Sequence, residues 1–124
     1  MATITVTFAP DDDLTIFTVI GDLSADEILK YSSEYYALKP TQLVLWDALK
    51  GTVGNITTED FKKLAVEMRE ITQNRSGGKT ALLGKFDVDF GLSRMYKAYT
   101  EIENVPVAYQ SFRNSVDAMK WLKE

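Results

Sequence analysis

With no histidine and no cysteine among its 124 residues, this chain can run acid–base chemistry only through Asp, Glu, Lys or Tyr. The same absence removes thiolate nucleophiles, disulfides, structural zinc and iron–sulfur clusters. Among the carboxylates, Asp47 stands out because it follows the apolar run Leu43-Val44-Leu45-Trp46. Sheets of the α/β class place their sites just past the carboxyl ends of such strands. Asp87 and Asp89 lie beyond the next apolar run, Ala81-Leu82-Leu83, and could face the same crevice. A hydrolytic carboxylate cluster is conceivable there, but a hydrogen bond from Asp47 that orders its loop is the plainer use. We assign no catalytic residue.

Other signatures fall short of their chemistry. Gly78-Lys79-Thr80 ends like a phosphate-binding loop, yet Gln73 stands where the leading glycine should be and a strand follows where a helix is needed. Tyr35 and Lys39 have a dehydrogenase-like spacing without the glycine-rich nucleotide loop. Tyr35 reads as a core contact and Lys39 as solvated beside Pro40. Asp11-Asp12-Asp13 lacks further ligands at calcium-loop spacing and reads as a solvated turn. No metal site and no cofactor are expected. The Asn-x-Ser/Thr triplets at Asn55 and Asn74 carry no weight without a secretion signal.

Hydrophobic residues make up 45% and charged residues 26% of the chain, as in ordinary soluble domains. No apolar stretch approaches the ~18 residues of a membrane span, and the start lacks a basic leader. The expectation is a cytoplasmic protein with no integral membrane association, forming one domain over residues 1–124. The net charge of −4 argues against nonspecific nucleic-acid binding. Residues 1–61 hold three basic and ten acidic side chains, so the second half is mildly basic. Solvated helix faces explain that half.

The elements that would position these groups follow one rhythm. Apolar runs alternate with capped amphipathic stretches, the pattern of a largely parallel sheet covered by helices. Ile4, Val6 and Phe8 alternate with threonines, predicting a strand with one buried face. It should form a hairpin with Leu14–Ile20 through the Ala9-Pro10 turn. Ser24-Ala25-Asp26-Glu27 is a capping box opening a helix with the stripe Ile28, Tyr31, Tyr35, Leu38. Thr57-Thr58-Glu59-Asp60 opens the next, with Phe61, Leu64, Ala65, Met68 and Ile71 facing inward. A third helix opens near Asp89 and carries Leu92, Met95, Tyr96, Tyr99 and Ile102. The run Val105–Tyr109 predicts the last strand, and Asn114 caps a final helix burying Val116, Met119 and Leu122.

This order of elements resembles the anti-sigma-factor antagonist (STAS) fold, and more closely its SpoIIAA-like branch. The resemblance rests on Leu43–Asp47 followed by a glycine-bearing loop and a threonine-capped helix, on the strand Lys79–Gly84, and on the ending Ser111–Leu122 with its Phe-Arg, cap and Ala-x-x-Trp-Leu. It implies an α/β domain with a mixed sheet of about five strands, an N-terminal hairpin plus parallel strands, and four helices.

The resemblance further implies a non-enzymatic role in regulation or protein interaction. In partner-switch members of the family, a serine or threonine at the start of the helix after the third strand is phosphorylated to break a contact. Thr57 or Thr58 holds that position here, although the usual Asp-Ser-Ser-Gly is absent. From the residues alone, either threonine reads as a plain N-cap. The leading expectation is therefore a module that binds a protein partner or itself through Asp47 to Thr58 and the helix near Asp89, with a homodimer as its assembly. Links of the SpoIIAA-like branch to lipids or small apolar ligands supply the alternative: a carrier or sensor holding a small apolar or lipid-like molecule among Trp46, Phe86, Phe90, Tyr96 and Tyr99.

Overall fold

The computed structural model describes residues 2–38 and 40–124. Met1 and Lys39 lie outside the described residues, and with them the expected placement of Lys39 beside Pro40. The chain runs β1 (Thr3–Ala9), β2 (Leu14–Asp22), α1 (Ala25–Tyr36), β3 (Leu43–Thr52), α2 (Thr58–Ile71), β4 (Lys79–Gly84), α3 (Asp87–Ile102), β5 (Ala108–Phe112) and α4 (Ser115–Leu122). The five strands form one mixed sheet in the order β1-β2-β3-β4-β5. β1 is antiparallel to β2, and every later neighbour is parallel. This is the sheet expected from the sequence.

The order has a geometric consequence. Parallel strands joined by helices connect right-handedly, and these connections all advance in one direction across the sheet. The three crossover helices α1, α2 and α3 therefore share one face. There Phe61, Leu64, Ala65 and Met68 of α2 pack with Tyr96 of α3 and Tyr109 of β5. Among the described residues the opposite face has only α4, whose Ala118 and Leu122 pack on Leu14, Leu45, Ala81 and Leu83.

The caps form as read. Ser24 Oγ accepts from the Glu27 N–H at 3.1 Å while a Glu27 oxygen accepts from the Ser24 N–H at 3.0 Å. Burial raises the Glu27 pKa, but hydrogen bonds from Ser24 and Ala2 outweigh it, and the net shift is downward. Asn114 Oδ1 accepts from the Asp117 N–H at 2.9 Å.

Several expectations are corrected. Val6 and Phe8 are 51% and 58% exposed, because β1 lies at the sheet edge beyond the helices that cover β2 to β5. Leu38 is exposed because α1 ends at Tyr36. Ile102 and Val116 are exposed at helix termini, whereas Ala118 makes the close contact of α4. The last strand starts three residues later than expected, at Ala108: Pro106 has no N–H for the ladder, and Val105 donates to Thr100 O instead. The three aspartates of the first turn are partly engaged, since Asp13 accepts from the Gln42 N–H and Asp12 pairs with Lys123.

Candidate functional site

Between the sheet and its three helices lies a cavity of about 90 Å³. Its walls are almost wholly apolar, with Phe17, Val44, Trp46 and Leu82 from the sheet and Leu64 and Tyr96 from the helices. Register places the sheet residues together, because Phe17 lies opposite Trp46, and Trp46 opposite Leu82. Phe17 stacks on Trp46 at 4.3 Å and meets Tyr35 edge-on at 5.6 Å. Burial pushes the Tyr96 and Tyr109 hydroxyls upward in pKa, so both are neutral at ordinary pH.

Two charged side chains join the walls at opposite ends. Asp89, 2% exposed, sits at the carboxyl ends of the strands, in the first turn of α3. Its Oδ1 accepts from Thr52 Oγ1 at 2.7 Å and from the Val53 N–H at 2.8 Å. Its Oδ2 has no hydrogen-bond partner among the described residues. Gly84 permits this placement, since a methyl group there would lie 3.1 Å from Asp89 Cβ.

Arg75, 1% exposed, sits at the amino ends of the strands. It donates through Nη1 to Tyr36 Oη at 2.6 Å and Thr80 Oγ1 at 2.9 Å, and through Nη2 to the carbonyls of Gln42 and Lys79. No carboxylate pairs with it among the described residues. Gly78 closes over the guanidinium: a side chain there would meet Gln42 O at 2.6 Å and Arg75 Nε at 3.0 Å. Thr80 and Gly84 bracket the two ends along β4. At the rise of a strand Thr80 and Gly84 are ~13 Å apart, and Arg75 and Asp89, at these two ends, form no salt bridge with each other.

The residues singled out from the sequence are distributed differently from expectation. β3 runs on to Thr52, so Asp47 lies inside the strand rather than past its end. It is in register with Leu83, on the α4 face, and its Oδ1 accepts from the Leu49 N–H at 3.1 Å beside a β-bulge. Thr57 and Thr58 lie at the start of α2, on the other face. Thr57 is the N-cap, accepting from the Asp60 N–H at 3.1 Å, and Thr58 is the first helical residue. Asp87 is exposed and pairs with Arg113, whereas Asp89 is buried. No group of acidic residues suited to a metal forms among the described residues.

The aromatic set also divides. Trp46 and Tyr96 line the cavity. Tyr99 packs against the helix-face core without reaching the cavity. Phe86 is 51% exposed, and Phe90 lies in an outer groove with the Arg113 guanidinium 4.5 Å from its ring centre. Because α3 turns through ~100° per residue, its aromatics cannot all face inward.

Sequence reasoning misses Arg75 and underrates Asp89. Charged residues default to solvent, and Arg75 falls in a stretch that reads as a turn. The available signal is the nearby Gly77-Gly78 pair, which lets backbone approach a bulky side chain closely.

These features define a SpoIIAA-like α/β fold. A solved structure of an uncharacterised DUF3478-family protein from Shewanella loihica, described as having a SpoIIAA-like fold, is similar over 98% of this chain and 93% of that chain, with a TM-score of 0.58 and 18% identity. No protein-family description and no curated protein matches the chain. Among the described residues, no helix is long and apolar enough to cross a membrane.

Proposed function

We propose that this chain is a single-domain, non-enzymatic cytoplasmic binding module that holds a small apolar molecule in the cavity beside Trp46 and Tyr96. The cavity itself carries this reading. Well-packed interiors have few voids larger than a water molecule, and a space of about 90 Å³ forfeits packing worth up to about 2 kcal/mol when nothing apolar fills it. An apolar occupant offsets that loss.

Xenon tests the proposal, being apolar and small. Saturable shifts of Trp46 and Tyr96 resonances under xenon pressure are the expected result. Ser32 is buried in α1 and lines the same space. Ser32→Leu should fill part of the cavity, raise stability by ~1 kcal/mol, and weaken xenon binding. Unchanged spectra at every xenon pressure defeat the reading.

A second reading, docking of a protein partner at the start of α2, is favoured by the exposure of the Thr57 cap and Thr58. As a plain cap, Thr57→Ala should cost roughly 0.5–2 kcal/mol in urea denaturation and leave partner recovery unchanged. As a switch, Thr57→Glu or Thr58→Glu should keep the fold yet lose a partner that the alanine variant retains. Glu59 and Asp60 oppose a phosphate at this point, so equal recovery is the expected outcome. We also propose a homodimer, the commonest closed assembly. Sedimentation at micromolar concentration should give about twice the 14.0 kDa chain mass, and a mass of one chain ends that proposal.

A further inference from the structure

We propose that the cavity selects a short aliphatic primary amine, with its ammonium group on Asp89 Oδ2 and its carbon chain against Trp46, Leu82 and Tyr96. This rests on the cavity being a ligand site, and it adds the chemistry of the ligand's polar end.

The observation behind it is the asymmetric treatment of one carboxylate. Asp89 is 2% exposed, and its Oδ1 is fixed by the Thr52 hydroxyl and the Val53 N–H. Oδ2 is equally buried and has no partner among the described residues. A buried carboxylate oxygen without a donor is costly. The nearby Ser93 hydroxyl is already engaged, donating to the Asp89 and Phe90 carbonyls. A donor brought to Oδ2 from the cavity would complete the hydrogen bonding of this carboxylate.

Charge selects the kind of donor. Asp89 is the only acidic residue on the cavity wall among the described residues. Arg75 is committed to four acceptors at the far end of the strands, and Gly78 packs over its Nε. An ammonium group gives a charge-assisted hydrogen bond, stronger than a hydroxyl offers, in a setting of low dielectric. Size selects the body. About 90 Å³ corresponds to roughly three methylene-sized groups, taking the volume share of a water molecule as the unit. An ethyl or propyl chain fits that space and a long acyl chain does not. The second charge on the described walls is Arg75, whose one unpartnered atom, Nε, is covered by Gly78 and so is closed to another polar group. One polar end and one apolar body is the pattern recognised.

The experiment compares n-propylamine hydrochloride with 1-propanol, read by two-dimensional NMR at fixed pH and ionic strength, for the wild type and Asp89→Asn. Asparagine retains an oxygen to accept from Thr52 and Val53. The expected result is that both compounds shift the Trp46 and Tyr96 resonances and that the amine binds at least tenfold more tightly. In Asp89→Asn that preference should fall to threefold or less. An amine that binds the wild type no more tightly than the alcohol overturns the proposal while leaving the cavity as a ligand site. A preference that survives in Asp89→Asn overturns it as well. Absence of shifts with either compound, together with silence under xenon, overturns both readings. The wild-type comparison stands alone if the variant fails to fold.

Discussion

Replacing Arg75 with leucine is expected to lower stability by about 2–4 kcal/mol, the largest loss from any single charged residue in the chain. The guanidinium joins α1 through Tyr36, the entry to β3 through Gln42, and β4 through Lys79 and Thr80. Leucine recovers some of the cost of burying a lone charge, but it leaves those oxygens without their donor. Arg75→Lys should not rescue, since an ammonium group cannot serve two pairs of acceptors in the plane of a fork. Urea denaturation checks this: the midpoint should fall while the slope stays constant. A leucine variant as stable as the wild type would mean that the charge costs as much as its hydrogen bonds return.

Phe17→Ala should cost about 3–5 kcal/mol. Phe17 is 2% exposed and touches both Trp46 on the sheet and Tyr35 on α1. Truncation removes the ring and enlarges an existing void, so the surroundings have little with which to collapse. Phe17→Leu keeps much of the volume and should cost less than half as much. Thermal unfolding of the pair separates the two contributions. If alanine and leucine prove equal, the ring is not packed as described.

The fold is legible in the sequence wherever the signal is local. Caps at Ser24, Thr57 and Asn114 announce three helices correctly, because each cap hydrogen bond is made within three residues. Strand order follows from apolar runs and helix-length connections. What fails depends on distant parts of the chain. Val6 and Phe8 alternate like buried residues, and only the absence of a helix over the sheet edge exposes them. Asp47 reads as lying past its strand, because nothing local shows that β3 continues through Gly51 beside Gly21. The cavity is half legible: Trp46 and Tyr96 reach it, but its two charged ends come from residues that composition assigns to solvent.

The strand order also sets how the protein reaches its native state. Every neighbouring pair in the sheet is consecutive in the chain, so no strand waits for a partner from the opposite end. Loop-closure entropy is therefore met in modest steps, each one a hairpin or a single strand–helix–strand loop. Each new strand adds to an edge already formed, and no finished pair must open to admit a later one. The expected signature is folding fast for a mixed α/β chain, with nucleation free to start at any adjoining pair.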